Sequence, residues 1–136
     1  MRPAVAANRR NLYDKAMNKL TPYIGLRGGV SKRAYEKLVS FRQDVERAFP
    51  DQVTEIVLFG SRARGDAHRD SDYDIAVFVE VKDENAGMNR RLSEIAYPYL
   101  LDGVHIAPVW LPAEFLTDAG VLPLAHAIAR EGMVLS

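Results

Sequence analysis

The sequence predicts an α/β (α+β) fold, a small mixed sheet with helices on one face. Three observations predict it. Apolar runs of strand length occur at Ile56–Phe59, Ile75–Val79 and Val104–Leu111. Segments with helical spacing of apolar residues cover 31–49 and 89–100. Short turns rich in Gly, Asp and Ser separate the two kinds of segment. A chain of 136 residues is long enough for one real core and suggests one domain.

Residues 8–20 can form a short helix with Leu12, Ala16, Lys19 and Leu20 along one side. Pro22 and Gly25 stop it, and Gly28-Gly29 makes a flexible joint. Residues 1–29 are therefore expected to be a basic appendage, and 30–136 the domain proper. Ser31 is a plausible N-cap for a helix to about Phe49, with Tyr35, Leu38, Val39, Val45 and Phe49 near helical spacing. Val53–Phe59 reads as the first strand, with Thr54 and Glu55 exposed at its start and the apolar run buried on both faces. A helical turn is expected over 61–66. The second strand is expected over Tyr73–Val81, its end alternating towards a solvent edge. A polar loop follows over 82–87.

Asn89 can cap the next helix, in which Leu92, Ile95, Ala96, Tyr99 and Leu100 keep the pattern. Pro98 removes an N–H there and predicts a kink or an early end near Tyr97. Asp102-Gly103 is a turn. Val104–Leu111 is the third strand, and Pro108 inside it points to a sheet edge or a bulge. A short helix or turn over 112–118, a last amphipathic helix over 123–130 and a terminal strand at 133–135 complete the chain. Gly132 is placed to cap that last helix.

Cysteine is absent, which removes disulfides and thiolate metal sites and is compatible with a cytoplasmic location. Eighteen consecutive apolar residues occur nowhere, so no membrane helix is expected. The basic N-terminus lacks the apolar stretch of a signal peptide. Net charge is zero, which argues against a dedicated nucleic-acid binder. The charge is uneven, however. Residues 1–30 carry Arg2, Arg9, Arg10, Lys15, Lys19 and Arg27 against Asp14 alone. Such an arm can contact an acidic partner or remain a solvated leader.

The chemistry concentrates in residues 60–74. Gly60 and Ser61 follow the first strand, and Asp72 and Asp74 open the second. Residues two apart in a strand share a face, so the two carboxylates project side by side. They repel unless a cation lies between them or one takes a proton. Mg²⁺ prefers such oxygen ligands and keeps positions for water and phosphate. Gly60 and Ser61 offer backbone N–H groups and a hydroxyl for phosphate oxygens. Arg64 can contact phosphate through its planar fork, or pair with Asp66, Asp70 or another local carboxylate. His68 and Arg69 sit in the loop between the motif halves, where a histidine is more often merely exposed.

Gly-Ser, ten residues, then Asp-x-Asp resembles the signature of the DNA polymerase beta-like nucleotidyltransferase superfamily. The fuller string, with Ala63-Arg64-Gly65 and Ser71-Asp72-x-Asp74-Ile75, resembles the minimal nucleotidyltransferases of bacteria and archaea. The resemblance runs from about residue 35 to the C-terminus. It implies a nucleotidyltransferase fold and transfer of a nucleoside monophosphate, with ATP the expected donor and Mg²⁺ held by Asp72 and Asp74. It also implies that Gly60, Ser61 and Arg64 bind the nucleotide's outer phosphates. Minimal nucleotidyltransferases are commonly paired with small helical HEPN proteins. The transferase acts there as an antitoxin that adenylylates a tyrosine of the toxin, which implies a protein partner.

The family's third carboxylate, on the strand after the second helix, is missing. Aligned on the motif, its position falls on His105, in Val104-His105-Ile106-Ala107. Three readings follow. His105 does the third acid's work, since neutral imidazole ligates metal or accepts a proton. Asp102 or Glu55 substitutes through a register shift. Or the site still binds nucleotide weakly but no longer transfers; the rival function is then an inactive binding module that neutralises or scaffolds a partner by contact.

Overall fold

The computed structural model describes residues 30–80, 87–117 and 123–135. The expected N-terminal helix, Val81 and the loop that follows it lie outside the described residues. The elements run α1 (Lys32–Ala48), β1 (Val53–Phe59), α2 (Ser61–Arg64), β2 (Tyr73–Val79), α3 (Met88–Leu101), β3 (Ile106–Pro112), a 3₁₀ turn (Ala113–Leu116), α4 (Pro123–Glu131) and β4 (Met133–Val134).

The strands form one mixed sheet in the order β3-β2-β1-β4. β1 pairs antiparallel with β2 and with β4, while β2 pairs parallel with β3. The α3 crossover makes the parallel pairing possible, as strands of one direction cannot be joined by a tight turn. β2 is central, so its C-terminal half does not alternate towards solvent as expected. Val77, Phe78 and Val79 are all buried, because this strand has a neighbour on each side and a packed layer on each face. Pro108 lies on β3, which is the sheet's edge, where its missing N–H breaks no ladder.

Ser31 caps α1 by accepting from Ala34 N at 3.0 Å. Leu38, Phe41 and Val45 form the helix's inner stripe; Phe41 takes this place in the pattern rather than Val39. They join Ile56, Leu58, Ile75, Val77, Leu92, Ala96 and Ile106 in the larger core cluster. α1 and α3 thus cover one sheet face as the expected helical layer. Each of the fully buried aliphatic side chains contributes about 1.5–3 kcal/mol relative to exposure. On the other face, Val57, Ala76, Phe78, Leu111, Leu116 and Ile128 form a smaller cluster under the 3₁₀ turn and α4.

Three further local expectations fail. Thr54 and Glu55 are buried, since β1 is an interior strand and a bulge between Val53 and Glu55 turns them inward. Asn89 is not the cap of α3: the helix starts at Met88 after Gly87 in a left-handed conformation. Asn89 Oδ1 instead accepts from Trp110 N. Pro98 does not end α3, which runs on to Leu101. The proline is exposed, so the carbonyl that loses its partner faces water, while Ala96 and Tyr99 stay packed in the core.

Candidate active site

The sheet face opposite α1 and α3 carries the motif. Tyr73, Ile75 and Val77 point into the larger core, so Asp72, Asp74 and Ala76 alternate to the other side. Asp74 pairs across β1 with Phe59, the last residue before the Gly60 turn. That pairing brings the turn against the carboxylate. Gly60 adopts φ 76° and ψ −159°, a region essentially reserved for glycine. A Cβ at this position would lie 2.3 Å from Asp74 Oδ2. The glycine therefore serves two needs at once, the backbone angle and the close approach of the carboxylate.

α2 is one turn, closed by Ala63 N and Arg64 N donating to Gly60 O at 3.1 and 3.0 Å. Gly65 ends it in the left-handed region. Arg62 points back along the motif loop. Its Nε and Nη2 donate to Ser71 O at 3.2 and 2.9 Å, and Nη2 also to Arg69 O at 3.1 Å. The guanidinium stacks over the Tyr73 ring, 4.4 Å from its centroid. Arg62 thereby fixes the loop that leads into Asp72, and it was not singled out by the sequence reading. His68 and Arg69 are exposed in that loop, and His68 N donates to Ser71 Oγ.

Arg64 stands between two carboxylates. Its Nε donates to Asp66 Oδ2 at 3.1 Å and its Nη1 to Glu131 Oε1 at 3.0 Å. The ion-pair expectation for Arg64 holds for Asp66. Glu131 escaped the sequence reading, for it lies 67 residues away and looked only like a helix end.

Asp74 is held above the ordinary carboxylate range, first by burial and then by the neighbouring Asp72 charge, with Arg64 opposing both. This is the electrostatic signature of a carboxylate pair that a cation would relieve. Two carboxylates on one face, one of them pressed against a glycine, fit a hard divalent cation that takes its other ligands from water and phosphate. Among the described residues no three His, Asp or Glu side chains converge as a metal cluster.

His105 lies where the strand register predicted. Tyr73 N donates to His105 O at 2.9 Å, and His105 Nδ1 is 2.8 Å from Asp72 Oδ1, both side chains about half exposed. That bond places a hydrogen on Nδ1 and leaves Nε2 to exchange a proton. Two residues on, Ala107 pairs with Asp74. The two positions beside the aspartates, His105 just before β3 and Ala107 within it, thus hold an imidazole and a methyl group, with no carboxylate at either.

The substitutes do not reach the site. Asp102 Oδ2 accepts from Lys37 Nζ at 3.1 Å, on α1. Glu55 pairs with Phe78 at the far end of the hairpin, four residues and roughly 13 Å along β1 from Phe59.

Comparison with known proteins agrees with this geometry. Residues 38–109, just over half of the chain, match the family described as nucleotidyltransferase domain. A relative from Methanocaldococcus jannaschii, named "Putative protein adenylyltransferase", is 36% identical over 45 residues. That match covers 33% of this chain and 46% of the relative's own length.

Proposed function

This chain belongs to the nucleotidyltransferase domain family, and on that premise we propose that it moves AMP from ATP to a hydroxyl of a partner protein, with tyrosine as the acceptor. The observation that carries the reading is the Gly60 turn pressed against Asp74, with Asp72 on the same face. It joins a phosphate-holding turn to a cation-holding pair within one contact.

Asp72 and Asp74 hold Mg²⁺, which supplies charge for the phosphoryl oxygens when bound. Ser61 and Arg64 hold the outer phosphates. The acceptor oxygen bonds to the α-phosphorus as the bond to the bridging oxygen breaks. Pyrophosphate leaves with that electron pair, and the hydroxyl proton passes to His105 Nε2. Asp72 fixes the tautomer of the imidazole for this through the 2.8 Å bond to Nδ1. Positioning supplies much of the remaining rate.

The relative's name, a protein adenylyltransferase, supports a protein acceptor. The acceptor is a HEPN-like toxin, which makes this chain its antitoxin, and ATP as donor sets the reaction in the cytoplasm. No described helix is long and apolar enough to cross a membrane.

The test is one incubation of the chain with labelled ATP, Mg²⁺ and a small helical HEPN-like protein as acceptor. The expected result is label on a tyrosine of that protein, absent with Asp72→Asn. If the proteins bind each other and no label transfers, the chain is a binding module. That outcome has its own motive in the missing carboxylate at positions 105 and 107.

A further inference from the structure

We propose that Glu131, at the end of α4, is a positioning residue for the nucleotide's phosphates and acts through Arg64. The inference rests on the nucleotide-binding reading above and adds a residue from outside the motif. Its starting point is the guanidinium of Arg64, which has five N–H groups in a rigid plane. Two of them are committed to Asp66 and Glu131, one from Nε and one from Nη1. Two anchors on different nitrogens fix the plane and leave the other donors to a ligand.

The two anchors are not equivalent. The Asp66 side chain is 62% exposed and belongs to the loop after α2, whereas that of Glu131 is only 17% exposed. Glu131 also stands on a rigid support. The next residue, Gly132, is buried, and a Cβ there would lie 2.5 Å from Ile128 O and 2.6 Å from Val57 Cγ1. Gly132 N donates to Ile128 O at 2.7 Å, and Met133 and Val134 then pair with Leu58 and Val57. The backbone that carries Glu131 is therefore held against β1, the strand that also delivers Gly60. Arg64 N in turn donates to Gly60 O. The turn that touches Asp74 is braced from two sides, by the sheet ladder and by this ion pair.

A surface ion pair with no such role would contribute little, and its loss would be silent. Positioning makes a different demand. A guanidinium released from Glu131 samples other rotamers, and the ordering cost then falls on nucleotide binding.

The experiment is a double-mutant cycle read by calorimetry with MgATP, using Glu131→Ala, Arg64→Ala and the pair. Expected is a roughly five- to tenfold loss of MgATP affinity for Glu131→Ala, with melting temperature and AMP affinity unchanged. In the Arg64→Ala background the same change costs nothing further. Glu131→Gln, which keeps an acceptor oxygen, restores most of the loss, and Asp66→Ala loses less than Glu131→Ala. In the transfer assay the defect falls on KM for ATP and spares kcat.

An equal loss with and without Arg64 overturns the proposal, as does a parallel fall of MgATP affinity, AMP affinity and melting temperature. A tighter MgATP complex in Glu131→Ala also overturns it, by showing a carboxylate that competes with phosphate. A parent chain without measurable MgATP affinity overturns the nucleotide reading itself and the role of Glu131 with it. Failure of the cycle in a parent that binds MgATP removes Glu131 alone.

Discussion

Gly60→Ala puts the centre of the site under the strictest test. Two costs add. Alanine at φ 76° and ψ −159° occupies a region that only glycine populates freely, at about 1–3 kcal/mol. The new methyl also starts 2.3 Å from Asp74 Oδ2 and 3.2 Å from its Cγ. An ordinary carbon–oxygen approach is about 3.3 Å or more, so the carboxylate has to retreat by roughly 1 Å. Asp74 sits on the central strand and cannot carry the backbone with it cheaply. A loss near 3 kcal/mol lowers the melting temperature by roughly 10 °C in a domain of this size. Displacement of the carboxylate by that much weakens MgATP binding by tenfold or more, on the scale at which ~1 Å misplacements matter.

Gly103→Ala is the internal control. Its φ is +86°, and a Cβ there meets nothing within 4 Å. It should cost only the backbone term, about 1 kcal/mol, with MgATP affinity intact. Melting curves and calorimetry on the two variants decide the matter. If both melt together and both bind MgATP as the parent does, the packing of Gly60 on Asp74 has no functional weight, and the site has been misread.

Further outcomes follow from the same geometry. Asp74 has a folded-state pKa raised by burial and by Asp72, so its contribution to stability is fully present below its unfolded value near 4 and is lost as pH rises through the raised value. Asp74→Asn should therefore melt higher than the metal-free parent at neutral pH, the gain vanishing below about pH 4, while its Mg²⁺-dependent nucleotide binding disappears; an unchanged melting profile across this range would contradict the charge assignment. His105→Asp should strengthen Mg²⁺ binding and raise transfer by restoring a third carboxylate, whereas His105→Ala should abolish transfer; activity that ignores both changes removes the histidine from the mechanism. Arg62→Ala removes three bonds to the backbone of the motif loop and the stack on Tyr73, so it should lower stability by about 1–3 kcal/mol and raise hydrogen exchange at residues 69–72.

The motif and the hairpin it sits on were legible because they are local. Strand periodicity put Asp72 and Asp74 on one face, and His105, one residue before β3, lies beside Asp72 because Tyr73 N donates to its carbonyl. The failures share a different cause. Glu55 looked exposed, and the end of β2 looked half exposed, because sequence does not state which strand lies in the middle of a sheet. Pro98 looked like a stop because its cost depends on whether the orphaned carbonyl meets water, which is a tertiary fact. Glu131 was invisible for the same reason. Its identity as a site residue depends on β4 folding back onto β1, and no local pattern around Glu131-Gly132 announces the partner.

The fold-back also sets an order on biosynthesis. A nascent chain emerges N-terminus first, so α1, the β1–β2 hairpin and both aspartates can be outside the ribosome while α4 and β4 are still in its tunnel. In that interval β1 lacks the Val134 and Met133 pairs along its outer edge, and Arg64 lacks Glu131. The carboxylate pair is then already made, but the arginine beside it is held only by the exposed Asp66. The site is thus completed by nearly the last residues described, and a half-made chain would carry the motif without its finished geometry.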